Sequence, residues 1–98
     1  MINRLTTKCN KISKEKGFWD AEDNIAVKLC LIHSEVSEAL EELRKTGNPT
    51  GASFCEELAD ICIRTFDLAG HLKLNLEDTI LQKIEKNESR PALHGKKF

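Results

Sequence analysis

Residues 20–45 read DAEDNIAVKLCLIHSEVSEALEELRK and carry a regular apolar pattern. Its members recur at three- and four-residue intervals: Ile25, Leu29, Ile32, Val36, Ala39, Leu40 and Leu43. This periodicity predicts a long amphipathic α-helix with one apolar stripe. Asp20 is a suitable N-cap and Gly47 a suitable stop, so the predicted helix extends from residue 20 to about residue 45.

Three further helices are predicted around this stretch. The first covers about residues 3–16, and its apolar side consists of Ile2, Leu5, Cys9 and Ile12. The third opens at a capping box formed by Ser53 and Glu56, and the fourth opens at Asn75. The tail from about residue 88 to residue 98 is predicted to be irregular. Because alternating strand patterns are absent from the sequence, the expected fold class is all-α, with two long antiparallel helices and shorter flanking ones.

The composition is that of one small globular domain spanning residues 1–98. Hydrophobic residues make up 40% of the chain and charged residues 32%, and the formal net charge is -1. No basic field favours nucleic acid or an anionic membrane as a partner. No apolar run resembles a signal segment or a membrane span, so a cytoplasmic protein is expected.

The four cysteines, Cys9, Cys30, Cys55 and Cys62, show no C-x-x-C spacing. The absence of that spacing in the sequence argues against a zinc site or a redox motif. We therefore expect the cysteines to be small buried side chains.

The predicted third helix is apolar on two sides. One side contains Phe54, Leu58, Ile61, Cys62, Thr65 and Leu68, and the other contains Ala59, Ile63 and Phe66. A 98-residue chain buries only a modest core, so we expect the second side to form a subunit interface. The expected assembly is a homodimer or, more specifically, a homotetramer built from dimers.

Two pairs of carboxylates occur at helical spacing. Glu35 and Glu38 belong to the second predicted helix, and Glu57 and Asp60 belong to the third. Residues at i and i+3 share a helix face, so two antiparallel helices can turn the pairs toward each other. Converging carboxylates repel unless a cation is present, and oxygen ligands of this kind suit Mg²⁺. A solvated acidic surface would give the same pattern, and the spacing does not separate the two.

The wider sequence resembles the MazG-like all-α nucleotide pyrophosphohydrolases. The resemblance rests on E-x-x-E followed by E-x-x-D, here residues 35–38 (EVSE) and 57–60 (ELAD), and on their flanks, residues 38–44 (EALEELR) and 57–64 (ELADICIR). The tail adds Lys83, Asn87, Arg90, Pro91 and residues 94–98 (HGKKF). One departure is Ser37, which stands where many members have glycine.

The resemblance implies a hydrolase. It implies that a nucleoside triphosphate, in particular a dNTP, is cleaved between its α and β phosphates to a monophosphate and pyrophosphate. It implies that Mg²⁺, replaceable by Mn²⁺, is held by Glu35, Glu38, Glu57 and Asp60. It further suggests that Lys83 and Asn87 reach substrate phosphate or sugar, and Glu38 is our candidate for the general base.

Several other residues are candidates for substrate binding. Trp19 could stack on a nucleobase, although core packing explains a lone tryptophan equally well. Lys28 could contact phosphate, although a solvated lysine is as common. Arg90 and Lys96 could cover the triphosphate or form an exposed end. Arg64 follows Asp60 by one turn, and an intrahelical ion pair between them is the preferred interpretation.

Two other functions fit the same residues. A phosphoribosyl-ATP pyrophosphohydrolase would have a related helical fold and carboxylate chemistry. A non-enzymatic helical dimer with an interaction or regulatory role would leave its carboxylates solvated.

Overall fold

A computed structural model of the chain describes residues 1–21 and 23–91. These residues form four α-helices and no strand. The helices are α1 (Ile2–Glu15), α2 (Ile25–Thr46), α3 (Ala52–His71) and α4 (Leu76–Glu88). The all-α fold class predicted from the sequence is thereby confirmed.

No helix in the described part of the chain has the length and the apolar character needed to cross a membrane.

Two predicted helix ends are present as expected. Gly47 closes α2 in the left-handed conformation, with φ 63°, and its N–H donates to the carbonyl oxygen of Leu43. Glycine adopts this conformation without the steric cost that a Cβ imposes. At the start of α4, the side chain of Asn75 accepts a hydrogen bond from the Asp78 N–H at 3.2 Å.

The predicted start of α2 at Asp20 is wrong. The helix begins at Ile25, because Asn24 caps it and accepts a hydrogen bond from the Ala26 N–H at 2.8 Å. Asp20 belongs instead to a tight turn after α1, in which its N–H donates to the Gly17 carbonyl oxygen. The cap therefore forms four residues later than the sequence pattern suggested.

Two other helix ends also differ from the prediction. The capping box of Ser53 and Glu56 is wrong, because Gly51 is the N-cap of α3 and Ser53 lies inside the first turn. The Asn48 side chain accepts hydrogen bonds from both the N–H and the hydroxyl of Thr50, which fixes the chain just ahead of that point. At the other end, α4 continues to Glu88, and residues 92–98 of the predicted tail lie outside the described residues.

The third helix organises the fold. It packs against α1 and against α2, whereas α1 and α2 have almost no contact with each other. The loop of residues 47–51 is short, and the pairing of Glu35 with Arg64 shows that α2 and α3 run antiparallel. The shorter α4 packs against α1. An open cleft is therefore left between α1 and α2, above the surface of α3.

The face that α1 turns toward α3 consists of small polar side chains. The predicted apolar stripe of α1 is therefore not the side that packs against α3. Thr6, Asn10 and Ser13 are buried, whereas Leu5 and Ile12 remain exposed. A Cβ added at Gly70 would collide with the carbonyl oxygen of Thr6 and lie 2.9 Å from the Cβ of Asn10. Only small side chains fit between two backbones at so close an approach, which explains why α1 is rotated away from its apolar side.

Apolar burial within one chain is sparse. Ala39 and Ala69 are the buried hydrophobic residues in the described ranges, and no large side chain there is completely enclosed. The predicted stripe of α2 is divided between two faces. Leu29, Val36 and Leu40 are each about half exposed (50%, 50% and 49%), whereas Ala39 is buried and Ile32 and Leu43 are half-buried. Glu35 joins Ala39 on the inner face. A broad apolar surface therefore remains uncovered on the outside of α2 and α3.

The expectation of buried cysteines is wrong for three of the four. Cys30, Cys55 and Cys62 are exposed, Cys9 is half-buried, and all four thiols are free. Cys55 and Cys62 lie on the outer face of α3.

The close approach at Gly70 leads to a stability prediction. Gly70→Ala should lower the free energy of unfolding by about 1–3 kcal/mol, because the added methyl group forces α1 away from α3. Chemical denaturation followed by circular dichroism measures the change. Lys11→Ala on the solvent face of α1 is the control and should stay within about 0.5 kcal/mol of wild type. An unchanged midpoint for Gly70→Ala would show that the helices separate freely.

Candidate metal centre and adjoining cleft

Three of the four predicted metal ligands lie together. One carboxylate oxygen from each of Glu35, Glu57 and Asp60 lies within 4.8 Å of the other two. Glu35 comes from α2, and Glu57 and Asp60 come from successive turns of α3. Opposite ligands of an octahedral Mg²⁺ are about 4 Å apart, so small side-chain movements would bring these oxygens to coordination distance. We call these three residues the acidic cluster.

The carboxyl of Glu57 has a raised pKa. Loss of solvent around the carboxyl raises its pKa, and the negative charges of Glu38, Asp60, Glu42 and Glu35 raise it further. Its Oε2 atom is enclosed and has no hydrogen-bond partner among the described residues. A carboxylate held near other carboxylates without a donor is costly, and a cation would relieve that cost.

Arg64 is paired differently from the prediction. The expected intrahelical pair with Asp60 is wrong, because the Arg64 Nε donates to Glu35 Oε1 at 2.6 Å across the α2–α3 interface. Glu35 is only 8% exposed. A buried carboxylate needs a charged partner, and this need outweighs the weak attraction between neighbours along one exposed helix.

Glu38, the fourth predicted ligand and the candidate base, is not among the three residues whose oxygens meet. It lies one turn after Glu35 on α2 and lines the cleft between α1 and α2. Its charge is nevertheless close enough to raise the pKa of Glu57. Glu38 therefore faces the same space as the acidic cluster while remaining outside it.

The cleft has a volume of about 450 Å³. Its apolar lining residues come from α1, the loop after it, α2 and α3: Cys9, Ile12, Phe18, Trp19, Leu31, Ile63 and Leu68. Its polar lining consists of Ser13, Lys28, Glu35, Glu38, Asp60, Arg64 and Asp67. A concave space with apolar walls and a few convergent polar groups is the usual form of a small-molecule site.

Trp19 forms a rigid part of the wall. Its indole N–H donates to Asp67 Oδ1 at 3.0 Å, and its ring stacks on His71 with centroids 3.6 Å apart. The Lys28 ammonium lies 4.4 Å from the ring centroid and donates to the Phe18 carbonyl oxygen at 2.6 Å. Trp19 and Lys28, both predicted as substrate-binding residues, thus lie in the cleft and hold each other in place.

The remaining predicted substrate-binding residues are not brought to the cleft by one chain. Lys83 and Asn87 lie on α4, and Arg90 follows that helix. None of these three lines the cleft. Lys96 lies outside the described residues. A role for the α4 residues would require a second chain.

Sequence reasoning missed Asp67 and its partners on α1. Asp67 Oδ1 accepts hydrogen bonds from Asn10 Nδ2 at 2.9 Å and from Trp19, so it joins α1, the following loop and α3. A signal was present in the sequence, since Asp67 follows Asp60 by seven residues and therefore shares its helix face. The spacing indicates a shared site only if the polar face of α1 is known to pack against α3.

No protein-family model matches the sequence, and no curated protein or solved structure is significantly similar to it. The resemblance to MazG-like enzymes therefore rests on the short motifs alone and stays a hypothesis. The case for a function depends on the acidic cluster and the cleft.

The raised pKa of Glu57 predicts how stability depends on pH. A carboxyl whose pKa is higher in the folded than in the unfolded protein destabilises the fold once it ionises. In metal-free buffer, Glu57→Gln should therefore have a higher Tm than wild type at pH 8. The gain should shrink as the pH falls from the raised pKa of Glu57 to below its ordinary value, where Glu57 is protonated in both states.

Glu56→Gln provides the matched control, because Glu56 is the exposed neighbour of Glu57 on the same helix. Differential scanning calorimetry in the presence of a chelator measures both variants across the pH range. A wild-type protein that equals or exceeds Glu57→Gln in Tm at pH 8 would contradict the predicted charge repulsion.

Proposed function

We propose that the protein is a Mg²⁺-dependent hydrolase that cleaves nucleoside triphosphates, in particular dNTPs, between the α and β phosphates. The observation that carries this proposal is the acidic cluster, in which oxygens of Glu35, Glu57 and Asp60 from two helices lie within 4.8 Å of one another. Two members of the cluster, Glu35 and Asp60, line a cleft of about 450 Å³. An acidic site beside an apolar cleft suits a ligand with a phosphate end and an aromatic end.

The chemistry of the residues fits a hard cation. Carboxylate oxygens are the ligands that Mg²⁺ prefers, and the enclosed Oε2 atom of Glu57 has no other described partner. Glu35, Glu57 and Asp60 would hold the ion, with Glu38 completing the set as the sequence motif suggests. When bound, Mg²⁺ would neutralise phosphate oxygens and lower the pKa of an attacking water.

The chain itself supplies the other elements of the reaction. Glu38 lies outside the acidic cluster but lines the cleft, and its carboxylate would accept a proton from the attacking water. Arg64 holds Glu35 through its 2.6 Å bond and keeps that carboxylate oriented toward the cluster. Attack at the α phosphorus, with pyrophosphate as the leaving group, follows the resemblance to MazG-like enzymes.

Two alternative functions make different demands on the site. A phosphoribosyl-ATP pyrophosphohydrolase would use the same carboxylates on a larger substrate. A non-enzymatic helical dimer would need neither the cation nor the cleft. The enclosed oxygen of Glu57, which has no partner within residues 1–21 and 23–91, favours a cation site over this last alternative, because a solvated acidic surface leaves its oxygens exposed to water.

Product analysis in ¹⁸O-labelled water tests the proposal. With Mg²⁺, a panel of dNTPs, NTPs and phosphoribosyl-ATP should show pyrophosphate release from the triphosphates, and chelation of the cation should abolish it. The label should appear in the nucleoside monophosphate, because water attacks the α phosphorus. Label in pyrophosphate, orthophosphate as the first product, or cleavage of phosphoribosyl-ATP alone would each refute the proposed reaction.

Variants of the site extend this test. Asp60→Ala should lose Mg²⁺ binding and most turnover, and Glu38→Ala should lower kcat by about 10²–10⁴-fold. Glu41→Ala is the control, since Glu41 lies on the same helix but is exposed and pairs with Arg44 at 3.6 Å. Circular dichroism establishes that each variant is folded.

We also propose that the chain self-associates through the outer faces of α2 and α3. The support is the half-exposed set Leu29, Val36 and Leu40 on α2, together with Leu58 at 46% exposure on α3. Of the interface residues predicted from the sequence, Ala59 is exposed and Phe66 half-buried, whereas Ile63 lines the cleft. A contiguous apolar surface is usually covered by a partner.

Light scattering at micromolar concentration tests this assembly. The mass should be at least twice the 11.1 kDa of one chain, and a tetramer would give four times that value. Leu40→Lys should shift the mass toward the monomer because it places a charge in the apolar surface. Leu81→Lys, which changes an exposed leucine of α4, is the control and should leave the mass unchanged. A monomeric wild-type protein would overturn the proposal.

A further inference from the structure

Among the described residues, two cationic side chains line the cleft, Lys28 and Arg64. Four carboxylates line it as well, those of Glu35, Glu38, Asp60 and Asp67. A triphosphate is itself strongly negative, so it enters such a cleft only where cations offset the repulsion. The proposed Mg²⁺ supplies part of the positive charge, and the cationic side chains must supply the rest.

Lys28 is held by the loop that follows α1. Its ammonium donates to the Phe18 carbonyl oxygen at 2.6 Å and lies 4.4 Å from the centroid of the Trp19 ring. Neither of these partners belongs to the acidic cluster. The position of Lys28 is therefore set by the loop and not by the proposed metal site.

Arg64, in contrast, is bonded to the acidic cluster. Its Nε donates to Glu35 Oε1 at 2.6 Å, and Glu35 contributes an oxygen to the cluster. Arg64 also follows Asp60 by one turn of α3, so the two residues share a helix face, and both line the cleft. A cation held by the cluster would have the guanidinium group of Arg64 as its neighbour.

Most of the hydrogen-bonding capacity of Arg64 is unused. A guanidinium group presents five N–H groups in a planar fork, and the bond to Glu35 uses the one on Nε. Within residues 1–21 and 23–91, no hydrogen bond or ion pair involves the two terminal nitrogens. The side chain is 38% exposed and lines the cleft, so a ligand there can reach it.

We propose that Arg64 binds the phosphate chain of the substrate beside the metal. Its Nε keeps Glu35 in the acidic cluster, while the two terminal nitrogens donate to oxygens of one phosphate group in the bidentate arrangement that guanidinium and phosphate favour. One side chain thus joins a metal ligand to the anion that the metal receives. This inference rests on the proposed function for the presence of a phosphate chain, and it adds the residue that binds it.

Arg64→Lys separates the two roles of this side chain. Lysine keeps the positive charge and can still pair with Glu35, but its single nitrogen cannot form the planar bidentate contact with phosphate. The variant should retain the Mg²⁺ affinity of the wild type and bind inorganic tripolyphosphate about tenfold more weakly. Arg44→Lys is the matched control, because Arg44 is exposed on α2 and pairs with Glu41 at 3.6 Å, and it should change neither affinity.

Isothermal titration calorimetry measures Mg²⁺ binding in phosphate-free buffer and then tripolyphosphate binding at saturating Mg²⁺. Circular dichroism establishes that both variants are folded. A second measurement needs no substitution, because phenylglyoxal reacts with the terminal nitrogens of arginine and mass spectrometry of peptides reports which arginines have reacted. With Mg²⁺ present, tripolyphosphate should slow the modification of Arg64 severalfold and leave that of Arg44 unchanged.

The possible results are distinct. Equal affinity of wild type and Arg64→Lys for tripolyphosphate, or no protection of Arg64 from phenylglyoxal, would overturn the inference and leave the proposed function standing. Parallel losses of Mg²⁺ and tripolyphosphate affinity in Arg64→Lys would also overturn it, because Arg64 would then act through Glu35 alone.

Hydrolysis of nucleoside triphosphates is measured separately. Binding of tripolyphosphate that depends on Arg64, without hydrolysis of any triphosphate, would support the phosphate contact and overturn the proposed reaction. A protein that neither binds tripolyphosphate nor hydrolyses any triphosphate would overturn both.

Discussion

The 2.6 Å bond between Arg64 and Glu35 is the interaction on which the site depends. Glu35 lies on the inner face of α2, where a carboxylate without a partner would be strongly unfavourable. Pairing with Arg64 fixes the register of α2 against α3, and that register brings Glu35 to Glu57 and Asp60. A buried ion pair adds little net stability, but it can specify one arrangement over its alternatives. Here it specifies which faces of two amphipathic helices meet.

On the opposite side of α3, close packing takes the place of charge. Gly70 allows the backbone of α1 to approach, and Thr6 and Asn10 fit at the contact. Asp67 connects this contact to the loop that carries Trp19. The helix α3 thus pairs with α2 through an ion pair on one side and packs closely against α1 on the other. Because the two neighbours lie on different sides of α3, α1 and α2 diverge. The cleft is the space that this divergence leaves.

Much of the fold could be predicted from the sequence. Helical periodicity gave four helices, and the chemistry of Gly47 and Asn75 gave two of their ends, because local hydrogen bonding decides those features. The spacing of Glu35, Glu57 and Asp60 showed that their side chains can meet, as they do in the structure, but it did not distinguish this from a solvated acidic surface or separate Glu38 from the other three.

Features that depend on contacts between helices were not predictable in this way. Leu29 and Val36 were expected inside, but the pairing of Arg64 with Glu35 sets the rotation of α2. The close approach at Gly70 sets the rotation of α1. The start of α2 was misplaced because both Asp20 and Asn24 are good caps, and the turn after α1 determines which one is used. Asp67 was overlooked because it binds the polar face of α1. The apolar periodicity of α1 predicted that this face would be exposed to solvent.

The exposure of Cys55 and Cys62 has a consequence for how copies of the protein behave in air. The two thiols lie seven residues apart on α3, about 10.5 Å along the helix, which is farther than the Cα separation that a disulfide can bridge. Oxidation between these two positions can therefore only link different molecules. Such a crosslink would turn a reversible encounter between two outer surfaces into a permanent one. The redox state of the surroundings thus becomes a variable that decides whether these chains, once joined, can separate again.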